Sequence, residues 1–434
     1  MSLVSAHRHR RAMSRLSRRA LTLAALSTLA LPLNARAQSG SAATGSSQTA
    51  PPAVVAGWQN GFFVQSADGR NKLSFGTVIQ GDGRFSTDDP SPFTDTFTLR
   101  KARFGIQGQV AKYFSFRLTP ELGNGAATVL DAYVDVQFSR AFGVRVGKDK
   151  TPVGLEELYG DAGLYFNERS LVSLLIPNRD DGVQIHGNLA HDAVTYSLGV
   201  FNGVPDGSST TTDVDTNGGK DVAGRIQVRP FHRTGTATAS AFDNFGLHLG
   251  FSSGSQTGAL PSFKTSAGQR FFTYAGANAD GDRTRISPGV FYYYKSFGVF
   301  GEYARTSQDI TKADVTSTIV NDGWDASGSF ILTGERASSG TISPKRPFDP
   351  ASGAWGAVEI VARYAALTVD EDAFTLGFAA DDAVREAHQA SIGVNWYPVS
   401  YVKYYLSYER TSFEGGAAAR PAENAILFRT QLAF

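Results

Sequence analysis

The chain has 434 residues, with 41 lysines and arginines against 40 aspartates and glutamates, 46 glycines and no cysteine. The lack of cysteine excludes disulfides and thiolate metal sites. The near-balanced charge gives no sign of a polyanionic partner such as nucleic acid. Aromatic residues make up 12% of the chain, and together with the glycines they favour many strands and tight turns over helices.

Residues 1–37 are predicted to be a secretory signal peptide. Six arginines between positions 8 and 19 precede an apolar run from Ala20 to Leu33, and Ala-Arg-Ala then gives a cleavage site after Ala37. The Arg18-Arg19 pair also fits a twin-arginine signal, but Sec export is favoured because basic leaders are common. Cleavage removes seven basic and no acidic residues, which leaves the mature chain with an excess of six acidic residues.

Two regions follow the leader. Residues 38–56 are rich in Ser, Ala, Gly and Pro and are predicted to be a disordered tether, whereas residues 57–434 form one domain. That domain contains no run of about 18 uninterrupted apolar residues, so a membrane crossing would have to use strands rather than helices.

Period-two alternation of apolar and polar residues predicts sixteen strands in this domain. The predicted fold class is all-β, a sixteen-stranded antiparallel transmembrane β-barrel. The predicted strands are 73–85, 97–111, 114–123, 127–139, 142–150, 181–190, 193–203, 221–231, 245–256, 283–295, 297–310, 322–335, 355–370, 385–398, 402–413 and 424–434.

The connections between the strands alternate in length, as the two ends of such a barrel do. Short turns are predicted at 112–113, 140–141, 191–192, 296 and 399–401, and long loops at 86–96, 151–180, 204–220, 257–282 and 371–384. Two connections on the short side, 232–244 and 336–354, break the rule and leave the strand count less secure.

The alternation also assigns the two faces of the wall. In the stretch FSFRLTPEL, Phe114, Phe116 and Leu118 alternate with Ser115 and Arg117, and later strands repeat this pattern. Because unpaired charges are very costly in an apolar core, the polar face is predicted to line water. A β-sandwich or solenoid with a solvated outer face is the alternative, but it does not explain the loop lengths.

The stretch NAILFRTQLAF, from Asn424 to Phe434, alternates until its final residue. A strand in this position needs partners on both edges, and a closed barrel supplies one by pairing its last strand with its first. Phe434 is also expected to act as the signal that outer-membrane assembly machinery recognises.

Charged residues are predicted on the inner face of many strands. Each basic group could simply pair with an acidic neighbour, but a basic excess remains, and basic rings favour anions in a pore. The predicted inner basic residues are Lys101, Arg103, Arg117, Arg145, Arg225, Arg229, Arg285, Lys295, Arg363, Lys403 and Arg429, and the predicted inner acidic residues are Glu121, Asp131, Asp135, Asp149, Glu302, Glu359 and Glu409.

Several segments resemble the phosphate-selective porin O and P family. These include LRKARFGIQGQV, YFSFRLTPELG, AYVDVQF, VRVGKDKTPVGLEEL, RDDGVQIHG, GSFILTGE, GAWGAVEIVARYAALTVDED and IGVNWYPVSYVKYYLSYER. The resemblance implies sixteen-stranded barrels that assemble as trimers in the Gram-negative outer membrane. It also places Arg100 and Lys101 on the family's basic pair near the constriction. Both can point inward only if the strand contains a bulge.

One loop departs from the family pattern. Phosphate-specific members carry a dense run of arginines in a loop that folds into the pore, whereas the corresponding stretch here offers only Lys264, Arg270, Arg283 and Arg285, widely spaced. Phosphate selectivity is therefore left open. Loop 151–180, with Tyr159, Tyr165, Phe166 and Arg169, either folds into the lumen or caps it from outside.

The predicted function is passive diffusion of small hydrophilic solutes through an anion-preferring outer-membrane channel. The expected anion path is lined by Arg100, Lys101, Arg103, Arg117, Arg145, Arg225, Arg229 and Arg285. No cofactor or metal is expected, and the predicted partners are outer-membrane lipid, small anionic or polar solutes, and two further copies of the chain. The alternatives are a general or cation-preferring porin and, less favoured, a hydrolase. His186 and His248 have inward parity, but no sequence motif places a nucleophile beside them.

Overall fold

The computed structural model describes residues 54–123, 125, 127–210, 215, 217–233, 240–417 and 419–434. The predicted signal peptide and residues 38–53 of the predicted tether lie outside these ranges and stay predictions. Residues 54–56, at the end of the predicted tether, are instead part of a strand, Val54–Trp58. The described helices are single turns, and none is long and apolar enough to cross a membrane.

The described residues form twenty strands and two short α-helices. In chain order they are β1 Val54–Trp58, β2 Phe62–Ser66, β3 Lys72–Ser86, β4 Thr96–Val110, β5 Phe114–Glu121, β6 Thr128–Ser139, β7 Phe142–Lys150, α1 Leu155–Leu158, β8 Arg179–Leu189, β9 Val194–Phe201, β10 Asp221–Val228, β11 Phe245–Gly258, β12 Ser262–Lys264, β13 Arg270–Thr273, β14 Asn278–Tyr294, β15 Phe297–Lys312, β16 Val315–Ile331, β17 Ala357–Thr368, α2 Asp372–Thr375, β18 Glu386–Val399, β19 Val402–Glu414 and β20 Glu423–Ala433.

Sixteen of these strands, β3 to β11 and β14 to β20, form one closed antiparallel barrel. Each pairs with the next along the chain, and β20 pairs with β3 with Leu432 opposite Ile79. All sixteen predicted strands are present, so the predicted fold class is confirmed. Closure leaves no edge of the wall unpaired, which a β-structure in lipid requires.

The predicted alternation of faces is visible in β19. The side chain of Leu406 is 55% exposed on the outside, whereas Lys403, Ser407 and Glu409 are buried on the lumen side. An apolar outer surface and a polar inner surface are what a barrel between lipid and water needs.

Strands β15 and β16 are longer than predicted. They meet at a two-residue turn, 313–314, where the sequence indicated a connection from 311 to 321. Near this turn both faces carry polar residues, such as Asp309, Thr311 and Thr316. The alternation of apolar and polar residues fades there, although the backbone ladder between the strands continues.

The long connection 332–356, like 229–244, lies at the end of the barrel that carries the short turns. It folds back on the barrel: Ile342 is buried against Ile331, Ala357 and Tyr397. The Ala337 amide donates a hydrogen bond to the Lys295 carbonyl at 2.7 Å. The exceptional length therefore reflects a packed segment, not a missed pair of strands.

Strands β1 and β2 form an N-terminal hairpin that the sequence did not predict, because strands of five residues give little periodic signal. Strand β2 pairs with β3, with Phe62 opposite Phe75. Gly61 has a φ of 137°, and a Cβ there would lie 2.6 Å from the Phe75 carbonyl oxygen, so the turn needs glycine.

The hairpin packs against Phe434. The Trp58 ring lies 5.0 Å from the Phe434 ring, and its Nε1–H donates to the Tyr401 hydroxyl at 2.9 Å. The Thr77 amide donates to the Phe434 carbonyl at 2.8 Å. Phe434 thus joins β3, the N-terminal hairpin and the β18–β19 turn.

Replacing Phe434 with Ala should weaken this junction. The Phe434 ring contacts those of Trp58, Phe62 and Tyr401, and aromatic pairs are each worth ~0.5–1.5 kcal/mol. We expect the free energy of unfolding in urea to fall by about 1–3 kcal/mol and the fraction of folded, heat-modifiable protein in the outer membrane to drop. Phe330→Ala, at an exposed outer position, is the control. Equal loss in both variants would contradict a special role for Phe434.

The assignment of faces is tested by one arginine on each side of the wall. Leu406→Arg places a charge on the outer face and should cost ~2–4 kcal/mol if that site lies at the bilayer midplane. Gln107→Arg adds a charge beside Arg117 on the lumen side, where water solvates it, and should change the current but not the stability. Similar urea midpoints for the two variants would mean that the faces are assigned wrongly.

Candidate solute pathway

The loop between β7 and β8, residues 151–178, lies inside the barrel and is called the lumen loop below. Side chains of the wall hold its backbone. The Glu302 carboxylate accepts the amides of Leu155 and Glu156 at 2.8 and 3.0 Å. Lys403 Nζ donates to the Leu164 carbonyl at 2.6 Å. The structure therefore decides between the two expected positions of this loop in favour of the lumen.

Apolar packing fixes the lumen loop on one side of the barrel. Leu155, Tyr165 and Phe166 are buried in a cluster with residues of β14, β15 and β17. Polar wall residues alone would not form such a core, because their preferred partner is water. The apolar residues of the loop thus lie on the β14–β17 side, and open space remains along β3 to β10.

That open space includes a cavity of about 760 Å³, called the inner cavity here. Its lining includes Gln59 of the N-terminal hairpin and Phe434, which place it toward the short-turn end. Seven basic and three acidic residues contribute to its wall: Lys72, Arg103, Arg117, Arg145, Lys150, Arg179 and Arg225 against Asp131, Asp149 and Asp161.

A second cavity of about 590 Å³, the outer cavity, lies toward the long loops. Four basic residues, Arg84, Arg100, Arg169 and Lys264, share its wall with Glu157 and Glu168, and hydroxyl side chains such as Thr98 and Ser170 line the rest. Lys264 comes from the β12–β13 hairpin. The two cavities flank the lumen loop and mark the path along which a solute can move.

The bulge predicted beside Arg100 and Lys101 is present in β4. Gln80 of β3 lies opposite Lys101 and Gly81 lies opposite Leu99, so Arg100 is the extra residue. Both side chains then reach the lumen loop. Arg100 Nε and Nη2 bind the two Glu168 oxygens at 2.7 and 3.0 Å, and Lys101 Nζ lies 2.8 Å from Asp161.

Arg103, Arg117 and Arg145 line the inner cavity but differ in how tightly carboxylates hold them. Arg103 Nε is bound to Glu121 at 2.6 Å, and Arg145 Nη2 to Asp135 at 2.6 Å. The Arg117 side chain is 45% exposed, and its shortest ion-pair distance is 3.6 Å. Of these three arginines, Arg117 is therefore the most accessible to an ion in the cavity.

Arg225 also lines the inner cavity, whereas Arg229 and Arg285 line neither cavity. Arg229 Nη2 donates to the Asp192 carbonyl, at 2.7 Å, beside a short turn. Arg285 is 3% exposed and held by Asp206 and Asp221 at 2.6 and 3.1 Å. Lys295, predicted on the inner face, is instead exposed in a short turn. Its strand ends one residue earlier than predicted, so the alternation does not reach it.

Sequence reasoning missed the acidic residues of the lumen loop and the cations Arg84, Lys150 and Arg179. Asp161 lies within 2.9 Å of Arg169 and also pairs with Lys101 and Arg103. These acidic residues lie in an irregular loop that carries no periodic signal, so parity cannot place them. Arg84, Lys150 and Arg179 instead belong to β3, β7 and β8. The acidic character of the segment was visible in LEELYGD and NER, but its position was not.

Glu168 neutralises part of the outer cavity. Its carboxylate lies 2.7 Å from Arg100, 2.9 Å from Arg84 and 3.6 Å from Arg429. Burial raises the pKa of this carboxyl, but the guanidinium groups of Arg100, Arg429 and Arg84 lower it more, so the pKa lies well below its ordinary range. Glu168 is therefore charged at any physiological pH.

The two inward histidines have structural contacts. His186 Nε2 lies 3.0 Å from Asp135, and His248 Nε2 lies 2.7 Å from the Val153 carbonyl oxygen. Among the described residues, no hydrogen bond joins either imidazole to a hydroxyl group.

Known structures share this fold. OmpT of Vibrio cholerae in a trimer form aligns with a TM-score of 0.50 and 12% identity over 84% of this chain and 100% of that chain. The outer-membrane channel DcaP of Acinetobacter baumannii gives 0.54 and 11% over 85% and 99%. Salmonella typhi OmpF gives 0.51 and 12% over 88% and 100%. At these identities the similarity concerns the fold alone.

No curated protein matches the sequence significantly. The family profile described as phosphate-selective porin O and P matches residues 73–434, which is nearly the whole barrel from the start of β3 to Phe434. A closed sixteen-stranded barrel with a charged, solvent-accessible lumen agrees with that match. The chain therefore belongs to the phosphate-selective porin O and P family and is a channel of the Gram-negative outer membrane.

Proposed function

We propose that this channel passes small hydrophilic solutes by diffusion, with a weak to moderate preference for anions such as phosphate or polyphosphate. The observation that carries the proposal is the charge of the inner cavity, whose wall has seven basic and three acidic residues. Basic groups that line water lower the electrostatic barrier for anions and raise it for cations.

The expected preference is modest because ion pairs hold most of these cations. Arg103, Arg145 and Arg179 each have a carboxylate oxygen within 2.8 Å. Arg117 is half-exposed with a longer contact, and Arg225 makes no ion pair with any described residue. Together with Lys72 and Lys150, which also make no ion pair with a described residue, Arg117 and Arg225 should contribute most of the field that a passing ion meets.

The basic residues of the stretch that corresponds to the family's arginine-rich loop support a general preference for anions. They give less support to a strong preference for phosphate. Lys264 lines the outer cavity, but Arg283 and Arg285 are buried against Asp221 at 2.8 and 3.1 Å. They are therefore not available as a ladder of free guanidinium groups. We expect phosphate to reduce chloride current only at high concentration.

We further propose assembly as a homotrimer in outer-membrane lipid, with recognition of the last strand and Phe434 by the barrel-assembly machinery. The membership in a porin family supports this, as does the trimer form of OmpT, which has the same fold. The apolar outer face, with side chains such as Val134 and Leu406 more than half exposed, fits burial in lipid or against another copy.

A cation-preferring or non-selective general porin is the alternative. The mature chain is expected to carry six excess acidic residues, and Asp131 and Asp135 lie on the inner wall. Each carboxylate is occupied, Asp131 by Arg179 at 2.8 Å and Asp135 by Arg145 at 2.6 Å. For this reason we favour the anion-preferring function.

The proposal is tested by reversal potentials in planar bilayers with a KCl gradient. Wild-type protein should give a potential on the anion side that shrinks as salt rises, because screening shortens the reach of the charges. A unit charge about 8 Å from an ion in water changes its energy by roughly 0.5 kcal/mol. Two such charges shift the energies of chloride and potassium by roughly 1 kcal/mol each in opposite directions. Replacing Arg117 and Arg225 with Gln should therefore lower the chloride-to-potassium permeability ratio by about thirtyfold in dilute salt, and by less as screening increases.

Lys112→Gln/Lys295→Gln removes the same number of charges from two exposed turns that line neither cavity and serves as the control. Its permeability ratio should match that of the wild type. A wild-type reversal potential on the cation side would refute the anion preference and leave the general porin.

A further inference from the structure

Three arginines surround one carboxylate of the lumen loop at the wall of the outer cavity. Arg100 binds Glu168 with two parallel contacts, from Nε at 2.7 Å and Nη2 at 3.0 Å. Arg84 Nη2 adds a third at 2.9 Å, and Arg429 Nη2 lies at 3.6 Å. Paired contacts between a guanidinium fork and an oxyanion are the geometry with which proteins bind carboxylate and phosphate ligands.

The barrel fixes the position of this carboxylate. The Glu168 carbonyl accepts a hydrogen bond from Arg363 Nη1 at 2.9 Å, and the preceding carbonyl of Asn167 accepts one from Arg429 Nη1. Arg429 is fully buried and bound to Asp82 at 2.6 and 2.8 Å. Arg429 and the loop backbone are thus held independently of the contacts that the Glu168 carboxylate makes.

A solute can reach the same site. The side chains of Arg100, Glu168 and Arg84 are 27%, 24% and 15% exposed, and all three line the outer cavity of about 590 Å³. Asp161, the other acidic residue of the lumen loop that contacts three basic side chains, is less accessible. Its side chain is 6% exposed, and that of its partner Lys101 is 8% exposed. A solute cannot replace Asp161 in the same way.

We propose that Arg84, Arg100 and Arg429 form an oxyanion site that Glu168 occupies as a competing internal anion. A carboxylate or phosphate group of a solute binds Arg84 and Arg100 by exchanging with the Glu168 carboxylate. This inference deepens the proposed anion preference and rests on it. In this arrangement Glu168 sets the affinity of the channel for an oxyanion.

The exchange accounts for weak binding in a channel that carries a strong cation cluster. In the wild type each solute oxyanion must displace the Glu168 carboxylate, which the lumen loop keeps beside the arginines. The net free energy of binding is therefore small. Weak binding suits a channel, because a solute that binds tightly does not leave. Without the Glu168 charge, the three arginines would face the single carboxylate of Asp82, and oxyanions would bind longer.

The experiment uses Glu168→Gln in full-length protein reconstituted into planar bilayers. Gln keeps the side-chain size and an acceptor oxygen for Arg100 but removes the charge. Chloride current is measured while inorganic phosphate or succinate is added on the long-loop side. The uncharged Gln side chain should compete less strongly than Glu168 for the arginines. If the weakening equals at least one charge-assisted hydrogen bond, the half-blocking concentration should fall about tenfold for the oxyanion that the site accepts. The separate phosphate and succinate titrations identify which of the two that is.

Two controls separate this effect from a general change in charge. Glu168→Asp keeps the competitor, and Asp314→Asn removes an exposed acidic residue at the β15–β16 turn, outside both cavities. Both should block at concentrations close to the wild-type value. The double variant Glu168→Gln/Arg100→Gln should lose the gain. Folding of every variant is checked by heat-modifiability and by single-channel conductance.

Wild-type half-blocking concentrations for both oxyanions in folded Glu168→Gln protein would refute the inference, and so would a gain that persists without Arg100. Neither result depends on the wild-type reversal potential, which tests the proposed anion preference separately. A cation-side potential in the wild type together with a tenfold gain in Glu168→Gln would reject the anion preference and retain the oxyanion site.

Discussion

The pairing of every backbone hydrogen-bonding group in the wall is the constraint on which the rest of this structure depends. Lipid offers no hydrogen bonds, so a sheet in a membrane must close on itself. Here β20 pairs with β3 from Ala425 to Ala433. Once the wall is closed, alternate side chains must face either lipid or lumen, and most charged residues of the strands are sent inward to the same limited space.

The charges gathered in that space act on one another before they act on a solute. The lumen loop brings Asp161 and Glu168 among the cations of β3, β4 and β20, and each acid contacts three basic side chains. A passing ion feels only the charge that these ion pairs leave unneutralised, and that charge is smaller than the number of inward arginines suggests. Selectivity in this barrel is therefore a property of pairing distances and exposure, with Arg117 and Arg225 less neutralised than Arg103 or Arg285.

Much of the wall was predictable because each strand faces lipid on one side and water on the other. This leaves a strong alternation of apolar and polar residues in the sequence. All sixteen barrel strands were predicted on this basis, and the bulge at Arg100 followed from two adjacent basic residues that both had to face inward. The prediction failed where the two solvents do not differ. The polar tips of β15 and β16 extend to a turn at 313–314, and the N-terminal hairpin lies outside the wall.

The sequence alone determined the closed barrel, many of the inward charges and the family, because period-two alternation and local motifs are properties of neighbouring residues. Only the tertiary structure decided which charges remain free. Glu168 is 68 positions from Arg100, and Arg429 is 347 positions from Asp82. Such pairs form because barrel closure and the fold of the lumen loop bring distant segments together, and no pattern of neighbouring residues records that distance.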